Sequence, residues 1–122
     1  MPKKIYIAGP MTGYPQYNFP AFLDAEEDLI SKGWQVLSPA RMDIERGFNP
    51  IKDPTAVFTP DMLPPAIRMD VDAILDCDAI AMLDNWSESK GAKAEYYVAR
   101  WAGLKIFRYY QRRKQLFTLS GK

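Results

Sequence analysis

The 122-residue sequence contains no histidine and only one cysteine, Cys77. Without histidine, the chain cannot build a Ser-His-Asp triad, a His-ligated metal site or a histidine pH switch. A single thiol allows neither an intrachain disulfide nor a cysteine zinc site, and it suits a reducing compartment. We therefore expect a cytoplasmic protein, and we expect its chemistry to use no metal and no other cofactor.

The sequence also lacks a strong charge of either sign and a long hydrophobic run. Its 16 Lys and Arg against 15 Asp and Glu give a formal charge of +1, which argues against a general binder of nucleic acids or membrane surfaces. The apolar run at residues 4–8 is too short for a signal peptide or a membrane span. With 48% hydrophobic residues, the chain can bury a core, and we expect residues 1–122 to form a single domain.

Short apolar runs alternate with helical patterns along the chain. Predicted strands cover residues 4–8, 34–37, 78–83 and 104–107, and predicted helices cover residues 18–32, 89–102 and a stretch ending at residue 76. Residues 40–60 are predicted as a long loop with at most one helical turn, and residues 111–122 as a tail that is either an interface arm or frayed. This order predicts an α/β fold: a flavodoxin-like (Rossmann-like) three-layer sandwich with a parallel sheet of four to five strands.

In such open sheets, ligands bind beyond the carboxyl ends of the strands. The candidate substrate-binding residues therefore come from the loops after the first and third strands: Gly9, Pro10, Met11, Thr12, Gly13, Tyr14, Trp86, Ser89 and Gly91. The glycines would let the backbone approach a ligand, but the first loop matches neither a P-loop nor a dinucleotide fingerprint. Trp86 could stack on a base or simply pack, and Ser89 could hold an anion or be an ordinary N-cap.

Two carboxylates are predicted to face the sheet from neighbouring helices. At about 100° per residue, Glu95 falls within the small-residue stripe that contains Ala92 and Ala99. In the preceding helix, Asp70 falls at the edge of an apolar stripe. That stripe is predicted to consist of Leu63, Ile67, Val71 and Ile74.

A carboxylate pair suits chemistry at a sugar anomeric carbon. One carboxylate can attack the carbon as a nucleophile, while the other orients the substrate or handles the proton. The structural alternative is that Glu95 caps a backbone group or pairs with an arginine, and that Asp70 pairs with Arg68 or Arg41.

Together these motifs resemble the nucleoside 2-deoxyribosyltransferase-like superfamily, and within it the small, often phage-borne DUF4406 branch. The resemblance covers residues 4–107 in element order. Its motifs are Gly9-Pro-Met-Thr-Gly13, Arg68-Met-Asp70 and Ser89-x-Gly91-x-x-x-Glu95. It implies a flavodoxin-like sheet, a homodimer or higher homo-oligomer, and a nucleoside or nucleotide as the small-molecule partner, with no nucleic acid and no membrane.

The resemblance also implies roles for individual residues. Glu95 matches the family's nucleophilic glutamate and Asp70 its catalytic aspartate, while Tyr14 loosely matches a tyrosine near the sugar. Ser89 is similar to the serine that faces the phosphate in related hydrolases of 2'-deoxynucleoside 5'-monophosphates. The implied reaction is cleavage of the N-glycosidic bond of a (deoxy)nucleoside 5'-monophosphate or nucleoside through a covalent glycosyl-Glu intermediate. Base exchange, as in a nucleoside 2-deoxyribosyltransferase, and a non-catalytic nucleotide-binding module are the alternatives.

Overall fold

Five strands and four α-helices make up the part of the chain described by a computed structural model, residues 3–119. The strands are β1 (Lys4–Ala8), β2 (Gln35–Leu37), β3 (Ala79–Met82), β4 (Lys105–Tyr110) and β5 (Gln115–Thr118). The α-helices are α1 (Phe19–Ser31), α2 (Pro39–Glu45), α3 (Leu63–Leu75) and α4 (Lys90–Ala102). Short 3-10 helices cover Pro15–Asn18, Pro60–Met62 and Trp86–Glu88.

The strands form one sheet in the order β2-β1-β3-β4-β5. β1 pairs in parallel with β2 and β3, and β3 pairs in parallel with β4, which confirms the predicted parallel arrangement. β5 pairs antiparallel to β4, so residues 115–118 of the predicted tail are part of the sheet. Residues 120–122 of that tail lie outside the described residues.

Helices cover both faces of the sheet. The side chains of β1 alternate between two buried clusters, because successive residues of a strand point to opposite faces. Ile5 and Ile7 pack on the face covered by α1, whereas Tyr6 and Ala8 pack on the face covered by α3 and α4. None of the helices within residues 3–119 is long and apolar enough to cross a membrane.

The segment predicted as a loop from residue 40 begins with a two-turn helix, α2. Ser38 caps this helix, since its side chain accepts a hydrogen bond from the Arg41 N–H at 3.3 Å, and Pro39 occupies the first helical position. Proline at that position favours a helix because its missing N–H would have no partner there. The irregular part of the segment is therefore residues 46–59, called the 46–59 loop below.

The predicted apolar stripe of α3 is confirmed at Ile74 and wrong at Leu63 and Ile67. The buried residues of this helix are Ala66, Ala73 and Ile74, while Leu63 and Ile67 are each 50% exposed. The small side chains on the inner face let α3 approach the sheet and α4 closely, and Asp70 is half-buried beside them.

Candidate active site

Helix α4 places Glu95 against β1 of the sheet. Ser89 caps the helix by accepting a hydrogen bond from the Ala92 N–H at 3.1 Å, and the buried Ala92 and Ala99 pack its inner face on the sheet. Glu95 lies between them on that face, as predicted. Its Oε2 accepts a hydrogen bond at 2.9 Å from the hydroxyl of Tyr6, a fully buried residue of β1.

Asp70 of α3 lies beside Glu95, and the two side chains, called the acid pair below, are close enough to share a hydrogen bond. Burial raises the pKa of Asp70 to about 7. Burial and then the charge of Asp70 raise the pKa of Glu95 well above its usual value, although the hydrogen bond from Tyr6 favours the ionised form. Both shifts favour the protonated form of the carboxyls in the acid pair.

A third carboxylate, Asp43 of α2, lies close enough to act on Asp70 through its charge. Asp43 is 5% exposed and forms an ion pair with Arg46, with 2.5 Å between Oδ1 and an Nη atom. Burial raises the pKa of Asp43, and Arg46 opposes this shift. At Asp70, the charge of Asp43 raises the pKa and the charge of Arg46 lowers it. Within residues 3–119, no cluster of three acidic or cysteine side chains could hold a metal ion.

The structure does not support the salt-bridge alternative for the acid pair. Arg41 pairs with Glu26 at 3.1 Å, and no ion pair in the described part of the chain includes Asp70 or Glu95. An acid pair without a basic partner shares its proton instead of being fully ionised.

An open cleft of about 370 Å³ lies at the carboxyl ends of the strands. Its lining joins the first loop to the start of α4: Pro10, Thr12, Tyr14, Glu88, Ser89, Lys90 and Gly91. The Ser89 oxygen accepts the capping hydrogen bond, so its O–H can donate to a ligand. Helical N–H groups and the charge of Lys90 also favour an anion here, whereas Glu88 opposes one.

The other predicted binding residues, like the acid pair, are not among the residues that line this cleft. Gly9 is buried, and a Cβ atom at this position would lie 2.9 Å from the Cβ of Leu83, so glycine is needed where the end of β1 meets the chain after β3. Met11 packs against the core on the α1 side. Gly13 is exposed and adopts a φ of +88°, a left-handed conformation that favours glycine.

Trp86 lies against α4 and does not line the cleft. Its ring packs on that of Tyr96, with 4.8 Å between centroids and an interplanar angle of 31°. This contact corresponds to the packing alternative considered for Trp86.

Sequence reasoning missed Tyr6 and Asp43. Tyr6 lies within the predicted strand 4–8, and a buried tyrosine hydroxyl requires a hydrogen-bond partner, which is the signal that points to it. Asp43 carried no such signal because it fell within the segment predicted as a loop.

Residues 3–108 match the family model described as "Domain of unknown function (DUF4406)". No curated protein matches the chain. A 2-deoxyribosyltransferase from the psychrotolerant bacterium Bacillus psychrosaccharolyticus is similar in fold, with a TM-score of 0.62 and 21% identity over 88% of this chain and 72% of that one. A 2-desoxiribosyltransferase from Leishmania mexicana gives a TM-score of 0.61 and 21% identity over 89% of this chain and 65% of that one. The chain therefore belongs to the DUF4406 family, and its fold is that of the nucleoside 2-deoxyribosyltransferases.

Proposed function

We propose that this protein cleaves the N-glycosidic bond of a (deoxy)nucleoside 5'-monophosphate or nucleoside, with Glu95 as the nucleophile. The observation that carries the proposal is the acid pair: two carboxyls beside each other without a basic partner, one of them bonded to the Tyr6 hydroxyl. When the pair holds one proton, it supplies an acid and a nucleophile at the same time.

The reaction proceeds in two steps. First, the Glu95 carboxylate forms a C–O bond to C1' while the bond from C1' to the base nitrogen breaks, and its electron pair stays on the base. Asp70 supplies the proton that the leaving base takes up. Then Asp70, now ionised, accepts a proton from a water molecule that attacks C1', which releases the sugar and regenerates the Glu95 carboxylate. The hydrogen bond from the Tyr6 hydroxyl favours the ionised form of Glu95 and fixes its orientation.

The cleft supports a 5'-phosphate group on the substrate. Ser89 and Gly91 lie six and four residues before Glu95 on α4, which corresponds to about 6 to 9 Å along the helix axis. A pentose bearing a 5'-phosphate can bridge that distance, so its phosphate would meet the Ser89 hydroxyl and its C1' would meet Glu95. The positive Lys90 assists this placement.

Base exchange is the second candidate, and the similarity in fold to two deoxyribosyltransferases favours it. The first step is the same. In the second step, a nitrogen of another base attacks C1' and gives up its proton to Asp70. The acceptor, water or base, is therefore what separates hydrolysis from transfer.

The test is chromatography of ribo- and deoxyribonucleosides and their 5'-monophosphates after incubation with the protein, with and without a second free base. We expect free base from the wild type, none from Glu95→Ala, and wild-type release from Glu27→Ala, which replaces an exposed glutamate. A new nucleoside or nucleotide would indicate transfer. A ligand-induced rise in Tm without any product would instead support a binding module and overturn the proposal.

We also propose that the protein forms a homodimer or higher homo-oligomer. The neighbouring helices α3 and α4 carry exposed apolar side chains, among them Leu63, Ile67 and Trp101, which is 91% exposed. A second copy could cover such surfaces. Light scattering tests this assignment: Trp101→Glu should reduce the molar mass to that of a monomer, and a monomeric wild type would contradict it.

A further inference from the structure

Three consecutive residues before α1 adopt a left-handed backbone conformation. The φ angles of Gln16, Tyr17 and Asn18 are 53°, 53° and 63°. L-residues other than glycine disfavour this region, asparagine least, and a run of three is rare. The surrounding contacts must therefore hold this segment, called the 16–18 turn below.

On one side, the 16–18 turn holds the wall of the cleft. The Asn18 side-chain amide donates to the Pro10 carbonyl at 2.8 Å, and the Tyr17 N–H donates to the Tyr14 carbonyl at 2.9 Å. Pro10 and Tyr14 both line the cleft. A change in the conformation of the turn would therefore move this wall.

On the other side, the turn contacts the 46–59 loop. The Tyr17 hydroxyl accepts a hydrogen bond from the Phe58 N–H at 3.0 Å, and its ring lies edge-on to Phe48 with 5.4 Å between centroids. Phe48 in turn contacts Phe58, at 5.7 Å between centroids. The Phe48 N–H donates to the carbonyl of Asp43, the last buried residue of α2, at 2.9 Å.

We propose that Tyr17 and Asn18 are positioning residues that couple the 46–59 loop to Pro10 and Tyr14, so that the loop sets the placement of the cleft wall and thereby substrate binding. The effect on substrate binding rests on the proposed function, whereas the coupling between loop and wall does not. When either contact is lost, the 16–18 turn relaxes toward ordinary backbone angles and the wall becomes mobile.

Tyr17→Phe is the sharpest test because it removes only the hydroxyl that holds the Phe58 N–H. Hydrogen exchange of the Tyr14 amide, which donates to the Met11 carbonyl at 3.2 Å, should become about three- to tenfold faster, as expected from the loss of one hydrogen bond. The KM for the cleaved substrate should rise by a similar factor with kcat nearly unchanged, because the acid pair is untouched. The matched control is Tyr110→Phe, which leaves both readouts at wild-type values.

Variants of Asn18 separate the hydrogen bond from the backbone strain. Asn18→Gly tolerates the left-handed conformation but lacks the amide, and Asn18→Asp keeps the size of the side chain but cannot donate to the Pro10 carbonyl. Both should accelerate exchange of the Tyr14 amide and raise KM. Asn18→Ala should in addition lower the Tm.

The result that would overturn the proposal is wild-type exchange of the Tyr14 amide in folded Tyr17→Phe and Asn18→Gly. A loss of Tm without a change in exchange or KM would also overturn it, since the two residues would then be only structural. If the wild type cleaves no substrate, the proposed function fails, and the exchange experiment still decides the coupling.

Discussion

On opposite faces of the same sheet, two buried tyrosines each donate a hydrogen bond to a carboxylate. Tyr6 of β1 reaches Glu95 of α4 at 2.9 Å, and Tyr109 of β4 reaches Asp28 of α1 at 2.8 Å. The hydroxyl–carboxylate contact is thus nearly the same on both faces. What differs is the next neighbour of each carboxylate.

The neighbour of Asp28 is a cation, and the neighbour of Glu95 is another acid. Lys32 lies 2.9 Å from Asp28, and although burial acts to raise the pKa of Asp28, the hydrogen bonds from Lys32 and Tyr109 hold it below its usual value. Burial and the charge of Asp70 raise the pKa of Glu95. The hydroxyl–carboxylate contact between Tyr109 and Asp28 therefore stabilises the fold. The same contact between Tyr6 and Glu95 forms part of a proton-sharing pair suited to catalysis.

Replacing the two carboxylates, Glu95 and Asp28, should give the largest difference in the rate of base release. Glu95→Gln removes the nucleophile, and we expect base release to fall at least about a thousandfold. Asp28→Asn should leave base release near the wild-type rate. Chromatography of the released base measures both variants, and an equal loss in both would show that the comparison has no functional meaning.

Asp70→Asn should lower kcat by about a hundredfold, because the leaving base then receives no proton from the acid pair. In the wild type, the rate should rise with pH through about 7, where the first proton leaves the pair, and fall at higher pH when the second proton leaves. The variant should lose the descending limb. Asp72→Asn, which replaces an exposed carboxylate of the same helix, is the control and should keep the wild-type profile.

Removing either tyrosine hydroxyl should have a smaller effect, and the two variants should differ in the property that changes. Tyr6→Phe should lower kcat about tenfold, since Glu95 loses the hydrogen bond that favours its ionised form. Tyr109→Phe should leave kcat unchanged and lower the free energy of unfolding by about 1 kcal/mol. Kinetics and denaturant unfolding of both variants measure this, and a drop in kcat for Tyr109→Phe would contradict the account.

The smallest expected effect is on thermal stability. The folded pKa of Asp70 lies above its unfolded value, so its contribution to stability is present at low pH and is lost as pH rises from about 4 to 7. Asp70→Asn should therefore raise the Tm by about 3 to 6 °C at pH 8 and by less at pH 4.

Replacing Asp28 should shift the Tm in the opposite direction to replacing Asp70. Its folded pKa lies below the unfolded value, so its contribution is present above about pH 4 and is lost as pH falls. Asp28→Asn should lower the Tm at pH 8 by about 3 to 6 °C. Thermal unfolding at pH 4 and pH 8 measures both variants, and shifts of the same sign at pH 8 would contradict the assigned protonation states.

Local sequence patterns predicted β1 to β4, the helices α1, α3 and α4, and the inward orientation of Glu95 and Asp70, because helical spacing and loop chemistry are local properties. They missed α2 and β5. They did not predict the partners. Tyr6 and Glu95 are 89 residues apart in the sequence, and periodicity assigns burial without saying what a buried hydroxyl contacts. The buried face of α3 was predicted correctly at Ile74 but not at Leu63 and Ile67, because sequence reasoning favoured large apolar side chains, while the small Ala66 and Ala73 pack closely.

The most direct test of the central claim is the mass of the peptide that contains Glu95 after rapid acid quench of a reaction with 2'-deoxynucleoside 5'-monophosphates. The account predicts a deoxyribose phosphate ester on Glu95, formed in the wild type and absent from Glu95→Gln. Base release by the wild type with no sugar on Glu95, or release by Glu95→Gln at the wild-type rate, would contradict it.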